Sequence, residues 1–175
     1  MIRRGAIEDV ALLQNIGKTT FQDTFGNTCT KEDMEGVLEL FFNTAQCEKE
    51  LTDPEDHFYF WVDDETGEVR GYVRINAKHD CPVDELKPFR SIELVRLYVV
   101  KEFHGTGVAS DLMNFAIDFA KIKGYQRMYL SVWEYNFRAR GFYHKHGFSN
   151  SGIKNDFPLG STPQTDLWFT RELDS

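Results

Sequence analysis

The stretch VRLYVVKEFHGTGVASDLM, residues 95–113, contains the feature that decides the fold. It begins as an apolar, β-branched run typical of a strand, passes two glycines and continues with apolar residues at helical spacing. Gly105 and Gly107 have two explanations. They permit a tight turn, or they leave backbone N–H groups at the helix N-terminus open to a phosphate, because a Cβ would block its approach. The stretch alone leaves both open.

The chain after this stretch predicts a helix and three further elements. The helix has one apolar face and ends with cations followed by glycine, the usual C-terminal signature. The apolar face consists of Ala109, Leu112, Met113, Ala116, Ile117 and Ala120. The residues at the C-terminal end are Lys121, Lys123 and Gly124. QRMYLSVW (126–133) alternates as a strand, and NFRARGFYHKHGF (136–148) predicts a last helix with Gly147 beyond its end. QTDLWFTREL (164–173) predicts the final strand.

The chain before the stretch predicts a strand, three helices and a hairpin. IRRGA (2–6) is a short strand, and Asp9 caps a first helix that runs through TTFQDTF (19–25). TKEDMEGVLELFF (30–42) is a second amphipathic helix that begins at Thr30. Thr44 caps a short third helix, which must end at Asp53 because proline excludes the residue before it from helical geometry. HFYFWVDDETGEVRGYVRINA (57–77) predicts an antiparallel hairpin.

This order of elements predicts a mixed α/β (α+β) sheet rather than a uniform alternation of strands and helices. At 175 residues, the chain is long enough to bury a proper core, and we expect residues 1–175 to form a single domain. No run approaches the ~20 apolar residues needed to cross a bilayer, and MIRRGAIEDV (1–10) lacks the apolar core of a signal peptide. We therefore expect a cytoplasmic protein that does not bind membranes.

Charge and cysteine content exclude several kinds of function. The formal net charge of −8 argues against a nucleic-acid surface, which requires a basic stripe. It is compatible with a cationic small substrate, although acidic solubility is the better explanation of a total of this size. Cys29, Cys47 and Cys81 are widely spaced without a C-x-x-C motif, so they are interpreted as inert thiols. We predict no metal, since His144 and His146 are two residues apart and do not share a helix face.

The glycines also come close to a dinucleotide-binding fingerprint. Gly105, Gly107 and Ser110 nearly fit G-x-G-x-x-G, and Glu134 ends the next strand, where a ribose-binding acid belongs. No Gly-Lys-Ser/Thr follows, which excludes a Walker A loop. Against an NAD-binding fold, the sequence contains one βαβ unit, and that unit comes after a hairpin.

Three motifs in order resolve the choice by resemblance. ELVRLYVV from Glu93, HGTGVA from His104, and Asn136-x-x-Ala139-x-x-x-Tyr143-x-x-x-Gly-Phe resemble the GNAT superfamily of acetyl-CoA-dependent N-acyltransferases. The resemblance implies a mixed, mostly antiparallel twisted sheet flanked by helices. TTFQDTFG, FFNTAQCEKEL, GYVRIN, VWEYN and QTDL further resemble the bacterial Pai-type spermidine/spermine N-acetyltransferases. The family's pyrophosphate loop reads Q/R-x-x-G-x-G/A, so His104 departs from the pattern.

The same resemblance implies the site. Glu93 corresponds to the general base, acting through water, and Tyr143 to the acid that protonates the departing thiolate. Coenzyme A binding is assigned to Leu97, Tyr98, Val99, His104, Gly105, Thr106, Gly107, Val108, Ala109, Asn136, Tyr143 and Lys145. Within this set, Leu97, Tyr98 and Val99 bind the pantetheine arm through their backbone. We hypothesise that His104 offers the diphosphate one hydrogen bond and makes coenzyme affinity depend on pH near 6.5.

Each assignment has a structural alternative. Strand alternation can turn Glu93 toward solvent or toward Arg96, and Tyr143 can be a core residue. Asn136 suits an N-cap, and Lys145 suits a solvated surface.

These residues predict an N-acetyltransferase that uses acetyl-CoA as co-substrate. An amine substrate arrives as an ammonium of pKa ~10 and must lose a proton before it attacks a thioester. We expect direct attack in a ternary complex on the primary amine of a small cationic substrate, with polyamines first. A protein N-terminus or an amino-sugar is the alternative acceptor, and a non-catalytic CoA-sensing module is the alternative class. A homodimer is left open.

Overall fold

The computed structural model describes residues 1–78 and 80–174, and over these it contains one seven-stranded sheet and five α-helices. The strands are β1 (Ile2–Arg4), β2 (Asp56–Val62), β3 (Val69–Asn76), β4 (Ser91–Val99), β5 (Arg127–Trp133), β6 (Ser149–Asp156) and β7 (Thr165–Glu172). The helices are α1 (Val10–Phe25), α2 (Lys31–Phe42), α3 (Thr44–Thr52), α4 (Val108–Ile122) and α5 (Phe137–Lys145). The strand order is β1-β2-β3-β4-β5-β7-β6.

Every neighbouring pair of strands is antiparallel except β4 and β5. The predicted mixed, mostly antiparallel sheet flanked by helices is therefore confirmed. This topology differs from the parallel, doubly wound sheet of a dinucleotide-binding fold, which removes the NAD alternative. Within the described residues, no helix has both the length and the apolar character required to span a membrane.

Strand alternation gives the sheet two covered faces, each with its own core. One face packs against α4, whose Leu112, Met113 and Ala116 are fully buried, and also carries part of α5. The other face packs against α1, α2 and α3, with Leu13 and Phe42 in its core. Because side chains alternate across a strand, each polar residue is assigned to one face by its position.

The two central strands separate soon after they pair. β4 and β5 are in register through three pairs that end at Glu93 and Tyr129. On its other side β4 contains a bulge: Arg96 and Leu94 pair with consecutive residues of β3, so Val95 between them has no partner. A bulge bends the strand that carries it. The divergence of β4 from β5 opens a cleft in the middle of the sheet.

Two predicted helix caps differ from the structure. The Thr30 hydroxyl does cap α2, since it accepts a hydrogen bond from the Asp33 amide at 3.1 Å. Asp9 precedes α1 but makes no side-chain cap, because its carboxylate binds Arg3 at 2.8 and 2.9 Å. α3 is capped by the Asn43 side chain rather than by Thr44, consistent with the stronger capping preference of asparagine.

Strand β6 was not predicted from the sequence. Its sequence, SNSGIKND, has no apolar alternation, and each of its eight residues is exposed or partly exposed. β6 lies at the edge of the sheet and pairs with β7 alone, with a register shift between Asn150 and Lys154. An edge strand without a buried face leaves no periodic signal, so pairing with β7 is what defines it.

Candidate active site

A cleft of about 920 Å³ lies where β4 and β5 separate. One wall is β4 from Glu93 to Val99, and the other is formed by β5 and α5. Phe21 and Phe25 of α1 line the mouth on one face of the sheet, and residues of β7 extend the lining beyond β5. The cleft is therefore lined by residues from both faces of the sheet, since α1 covers one face and α5 packs on the other.

The backbone conformation of the loop before α4 explains why Gly105 and Gly107 are glycines. Gly105 and Gly107 have φ angles of 79° and 96°, a region that strains any residue with a Cβ. A Cβ built at either position has no atom within 4 Å, so both face open space. Gly107 is the N-cap of α4 and offers no side chain to the first-turn N–H groups, which have no partner within the helix. The turn requires glycine, and its geometry also leaves the positive helix end open.

His104 does not present a free ring nitrogen. Its Nε2 lies 2.8 Å from the Val99 carbonyl oxygen, and its Nδ1 lies 2.7 Å from Nη1 of Arg138. Because the carbonyl only accepts and the guanidinium only donates, Nε2 carries the proton and Nδ1 accepts. The prediction that His104 has a free hydrogen bond to offer is therefore wrong. The ring contacts the Arg138 guanidinium instead. Sequence reasoning missed Arg138, which is 34 residues away from His104 along the chain.

The residues assigned to coenzyme A fall into three groups. Those that line the cleft are Leu97, Tyr98, Val99, His104, Ala109, Asn136 and Tyr143. Gly105, Thr106, Gly107 and Lys145 are exposed, whereas Val108 is buried in the core. The amide and hydroxyl of Thr106 both donate to the Phe103 carbonyl, which stabilises the loop itself. The Asn136 side chain caps α5 by accepting from the Ala139 amide at 3.1 Å.

Glu93 lies at the point where β4 and β5 part. Only 8% of its surface is exposed, and it points to the face covered by α1, α2 and α3. Tyr129 pairs with it across the strands, and burial together with the Glu93 charge raises the pKa of that phenol. The predicted alternative of a Glu93–Arg96 pair does not form, because Arg96 binds Glu50 at 3.0 and 3.2 Å.

Tyr143 lies on α5 with its ring against Phe142 and Phe148. It contributes to the core and also lines the cleft, so the two explanations are compatible. Burial raises the pKa of Tyr143 to about 12. The phenol therefore keeps its proton at neutral pH and can donate a hydrogen bond into the cleft.

A buried network of charges forms part of the cleft floor. Arg74 binds Asp56 through Nε and Nη2, both at 2.8 Å, and binds Glu50 through Nη1 at 3.0 Å. Arg96 binds the same Glu50. Two cations and two carboxylates thus neutralise one another, so neither arginine presents an unpaired charge to a ligand. The network joins α3, β2, β3 and β4, and no sequence motif predicts it.

Asp166 is a further buried carboxylate in the cleft, and sequence reasoning did not single it out. It is 7% exposed and accepts a hydrogen bond from Gln164 Nε2 at 3.3 Å. Burial raises its pKa to about 6, against the lowering effect of hydrogen bonds from Gln164 and Ser131. The alternation in TDLWF already places Asp166 and Trp168 on one face of β7, opposite Leu167 and Phe169.

The three cysteines are absent from the lining of the cleft, although the Cys81 thiol is near enough to Glu93 for that charge to help raise its pKa. Cys47 is fully buried, Cys29 and Cys81 are partly buried, and none of the three lines the cleft. Burial raises the pKa of all three thiols. A thiol with a raised pKa is a poor nucleophile, which is consistent with their interpretation as inert.

Comparison with known proteins agrees with the fold. Residues 20–148 match the acetyltransferase (GNAT) family. An uncharacterised N-acetyltransferase from Lactobacillus delbrueckii subsp. lactis is 33% identical over 158 residues, which are 90% of this chain and 88% of that protein. An uncharacterised N-acetyltransferase from Mycobacterium tuberculosis is 29% identical over 165 residues, or 94% and 98% of the two chains.

Two solved structures share the fold at low sequence identity. The PaiA N-acetyltransferase from Thermoplasma acidophilum in complex with coenzyme A superposes with a TM-score of 0.77 at 19% identity, over 98% of both chains. A chimera of the spermidine N-acetyltransferase SpeG from Vibrio cholerae and hSSAT gives 0.66 at 19% identity, over 99% of this chain and 96% of that chain.

Proposed function

The chain belongs to the acetyltransferase (GNAT) family, and on that premise we propose that its acceptor is a small cationic amine, with polyamines first. The family identifies an N-acetyltransferase with acetyl-CoA as its co-substrate. The observation that carries the choice of acceptor is the pair of carboxylates, Glu93 and Asp166, that are more than nine-tenths buried in one cleft. The two arginines on the same floor are already neutralised. A cationic guest that enters the cleft therefore meets two carboxylates that are largely shielded from water.

The residues present fit acetyl-CoA. The open N-terminal turn of α4 after Gly107 suits the diphosphate, and the Arg138 guanidinium adds a full positive charge beside it. The edge of β4 beyond Glu93, where pairing with β5 has ended, suits the amide groups of the pantetheine arm at Leu97 and Tyr98. When bound, acetyl-CoA supplies the thioester that is the acetyl donor.

We assign to Glu93 the role of proton acceptor for the incoming amine, because it is a buried carboxylate that lines the cleft. It accepts, through one water molecule, the proton that the ammonium loses before attack. The freed amine then forms the new bond to the acetyl carbon while the bond from that carbon to sulfur breaks. The new amide nitrogen gives up its remaining extra proton, and the departing thiolate takes up a proton from solvent, so that the products are the neutral amide and the free thiol. This step requires no covalent enzyme intermediate, and none of the three cysteines lines the cleft.

Tyr143 assists the departing sulfur by donating a hydrogen bond. A thiol has a pKa of ~8.5, so full proton transfer from a phenol whose pKa is about 12 is unfavourable by roughly 5 kcal/mol. A hydrogen bond to the developing thiolate needs no such transfer and stabilises its charge. We therefore replace the proton donor expected from the family resemblance with a hydrogen-bond donor.

An amine panel tests the acceptor class. We expect release of free coenzyme A thiol with spermidine, spermine and diamines at higher kcat/KM than with an N-terminal peptide or an amino-sugar. Glu93→Gln is expected to lower kcat for every acceptor without changing acetyl-CoA binding. A preference for peptides or amino-sugars would overturn the polyamine assignment. A protein that acetyl-CoA stabilises against heat, but that releases thiol with no amine, would instead support the CoA-sensing alternative.

A further inference from the structure

The part of the cleft beyond β5 forms a separate subsite around Asp166. In the register of the sheet, Asp166 of β7 lies between Trp133 of β5 and Asn155 of β6. Directly opposed residues of neighbouring strands have Cβ atoms ~5 Å apart on the same face. Trp168, two residues along β7, shares that face, and all four residues line the cleft. A carboxylate, an amide and two indole rings thus converge on one end of the cleft.

The partners of the Asp166 carboxylate in the described part of the chain are uncharged. Its hydrogen-bond partners are the Gln164 amide and the Ser131 hydroxyl, both neutral. Among the residues that the structure describes, no lysine or arginine forms an ion pair with Asp166. Burial has removed water from the carboxylate, and residues 1–78 and 80–174 supply no counter-charge to it. A buried carboxylate in this condition binds a cation that enters the cleft more strongly than an exposed one does.

The surrounding rings favour an alkylammonium over other cations. Trp133 and Trp168 are partly exposed, and each is fixed by a second ring: Phe25 at 6.0 Å and Tyr129 at 5.8 Å between centroids. Phe157 adds a third aromatic side chain to the lining. The faces of aromatic rings attract a cation and also accept methylene groups, which suits an ammonium on a hydrocarbon chain.

The distance between Glu93 and Asp166 determines how long a ligand must be to contact both. Glu93 pairs with Tyr129, and Asp166 pairs with Trp133, so the two carboxylates are two strands and four residues apart. Strand spacings of ~4.8 Å and ~3.3 Å per residue place their Cα atoms about 16 Å apart. One amine cannot contact both groups. A chain with ammonium groups separated by several methylenes can present one to each.

We propose that Asp166, with Trp133 and Trp168, binds the distal ammonium of a di- or polyamine whose other end is acetylated near Glu93. This inference rests on the proposed function, because it specifies how that acceptor is recognised. Asp166 acts in recognition and contacts no reacting atom.

The test compares matched amines on matched variants. Asp166→Asn removes the subsite charge, and Asp118→Asn removes one from the exposed surface of α4. For Asp166→Asn we expect KM to rise about 10- to 100-fold for spermidine and to stay unchanged for a monoamine of similar chain length, since one charged hydrogen bond is lost. The Asp118→Asn protein should match the wild type with both. Equal changes for the two amines, or no change for either, would overturn the proposal.

A binding measurement separates this proposal from the assigned activity. Calorimetric titration of spermidine into the protein without acetyl-CoA should show binding that Asp166→Asn weakens by the same factor. Trp168→Leu should weaken it about 2- to 5-fold by removing the aromatic face. Should spermidine bind through Asp166 yet never be acetylated, the function fails and the subsite stands. Should spermidine be acetylated with an affinity that ignores Asp166, the subsite fails and the function stands.

Discussion

Asp166→Asn should stabilise the protein in the absence of ligand. The folded state raises the pKa of Asp166 from 3.8 to about 6 because it buries the carboxylate, so folding favours the protonated form. The stabilising contribution of this group is therefore fully present below about pH 4 and is lost as pH rises through about 6. Above that range the wild type must keep a buried charge, whereas asparagine carries none.

The pKa shift sets the size of the effect. A rise of about 2 pKa units corresponds to about 3 kcal/mol of unfolding free energy between low and high pH. With Asp166 only 7% exposed, solvent screens little of this energy. For a chain of this length, it equals roughly 6–12 °C in Tm. We expect Asp166→Asn to exceed the wild type by this amount at pH 8 and to match it at pH 4.

Urea unfolding at both pH values measures the difference directly. Asp118→Asn serves as the control, since removal of an exposed charge should leave the gap between pH 4 and pH 8 as it is in the wild type. If Asp166→Asn shows the same gap as the wild type, the carboxylate is not destabilising the fold and the reasoning is refuted. Stabilisation together with loss of polyamine binding would show that the site costs stability for function.

Three further predictions concern the coenzyme side of the cleft. Tyr143→Phe should lower kcat about 10- to 100-fold with little change in the Kd for CoA, because the lost hydrogen bond forms to the developing thiolate; a comparable rise in Kd would contradict this. Arg138→Ala should weaken the binding of CoA about 10-fold or more in calorimetry, because it removes a cation that we place beside the diphosphate. The binding of pantetheine, which lacks the diphosphate, should not change, and Lys121→Ala is the control. Equal weakening of both ligands would contradict the diphosphate contact. Gly107→Ala should lower the unfolding free energy by about 1–2 kcal/mol, since φ is 96° there, and unchanged urea unfolding would contradict that strain.

Local patterns predicted most of the elements for a physical reason. The faces of α2 and α4 are written as apolar residues at 3.6-residue spacing, and β2, β5 and β7 alternate because each has two chemically different faces. β6 escaped prediction because neither of its faces is buried. The Asn43 cap was missed because two neighbouring residues, Asn43 and Thr44, both suit an N-cap.

Some residues of the candidate site were likewise predicted from local sequence, whereas others were found only in the structure. The family motifs indicated Glu93, Tyr143 and the loop after His104, because each motif is a short run of neighbouring residues. The role of His104 was misjudged because the ring is engaged by Arg138, and no pattern in the sequence links residues so distant. The cleft itself depends on the bulge at Val95, which appears only when β3 and β4 are paired.

By itself, the sequence determined the helices, the alternating strands and the glycine loop, because local periodicity and backbone sterics act between near neighbours. Tertiary structure alone decided which charges are neutralised and which are not. Glu50 is satisfied by Arg74 and Arg96, whereas Asp166 is buried without a cation among the described residues. The energy of a charge depends on the water it loses and the partners it gains, and folding brings both from distant parts of the chain.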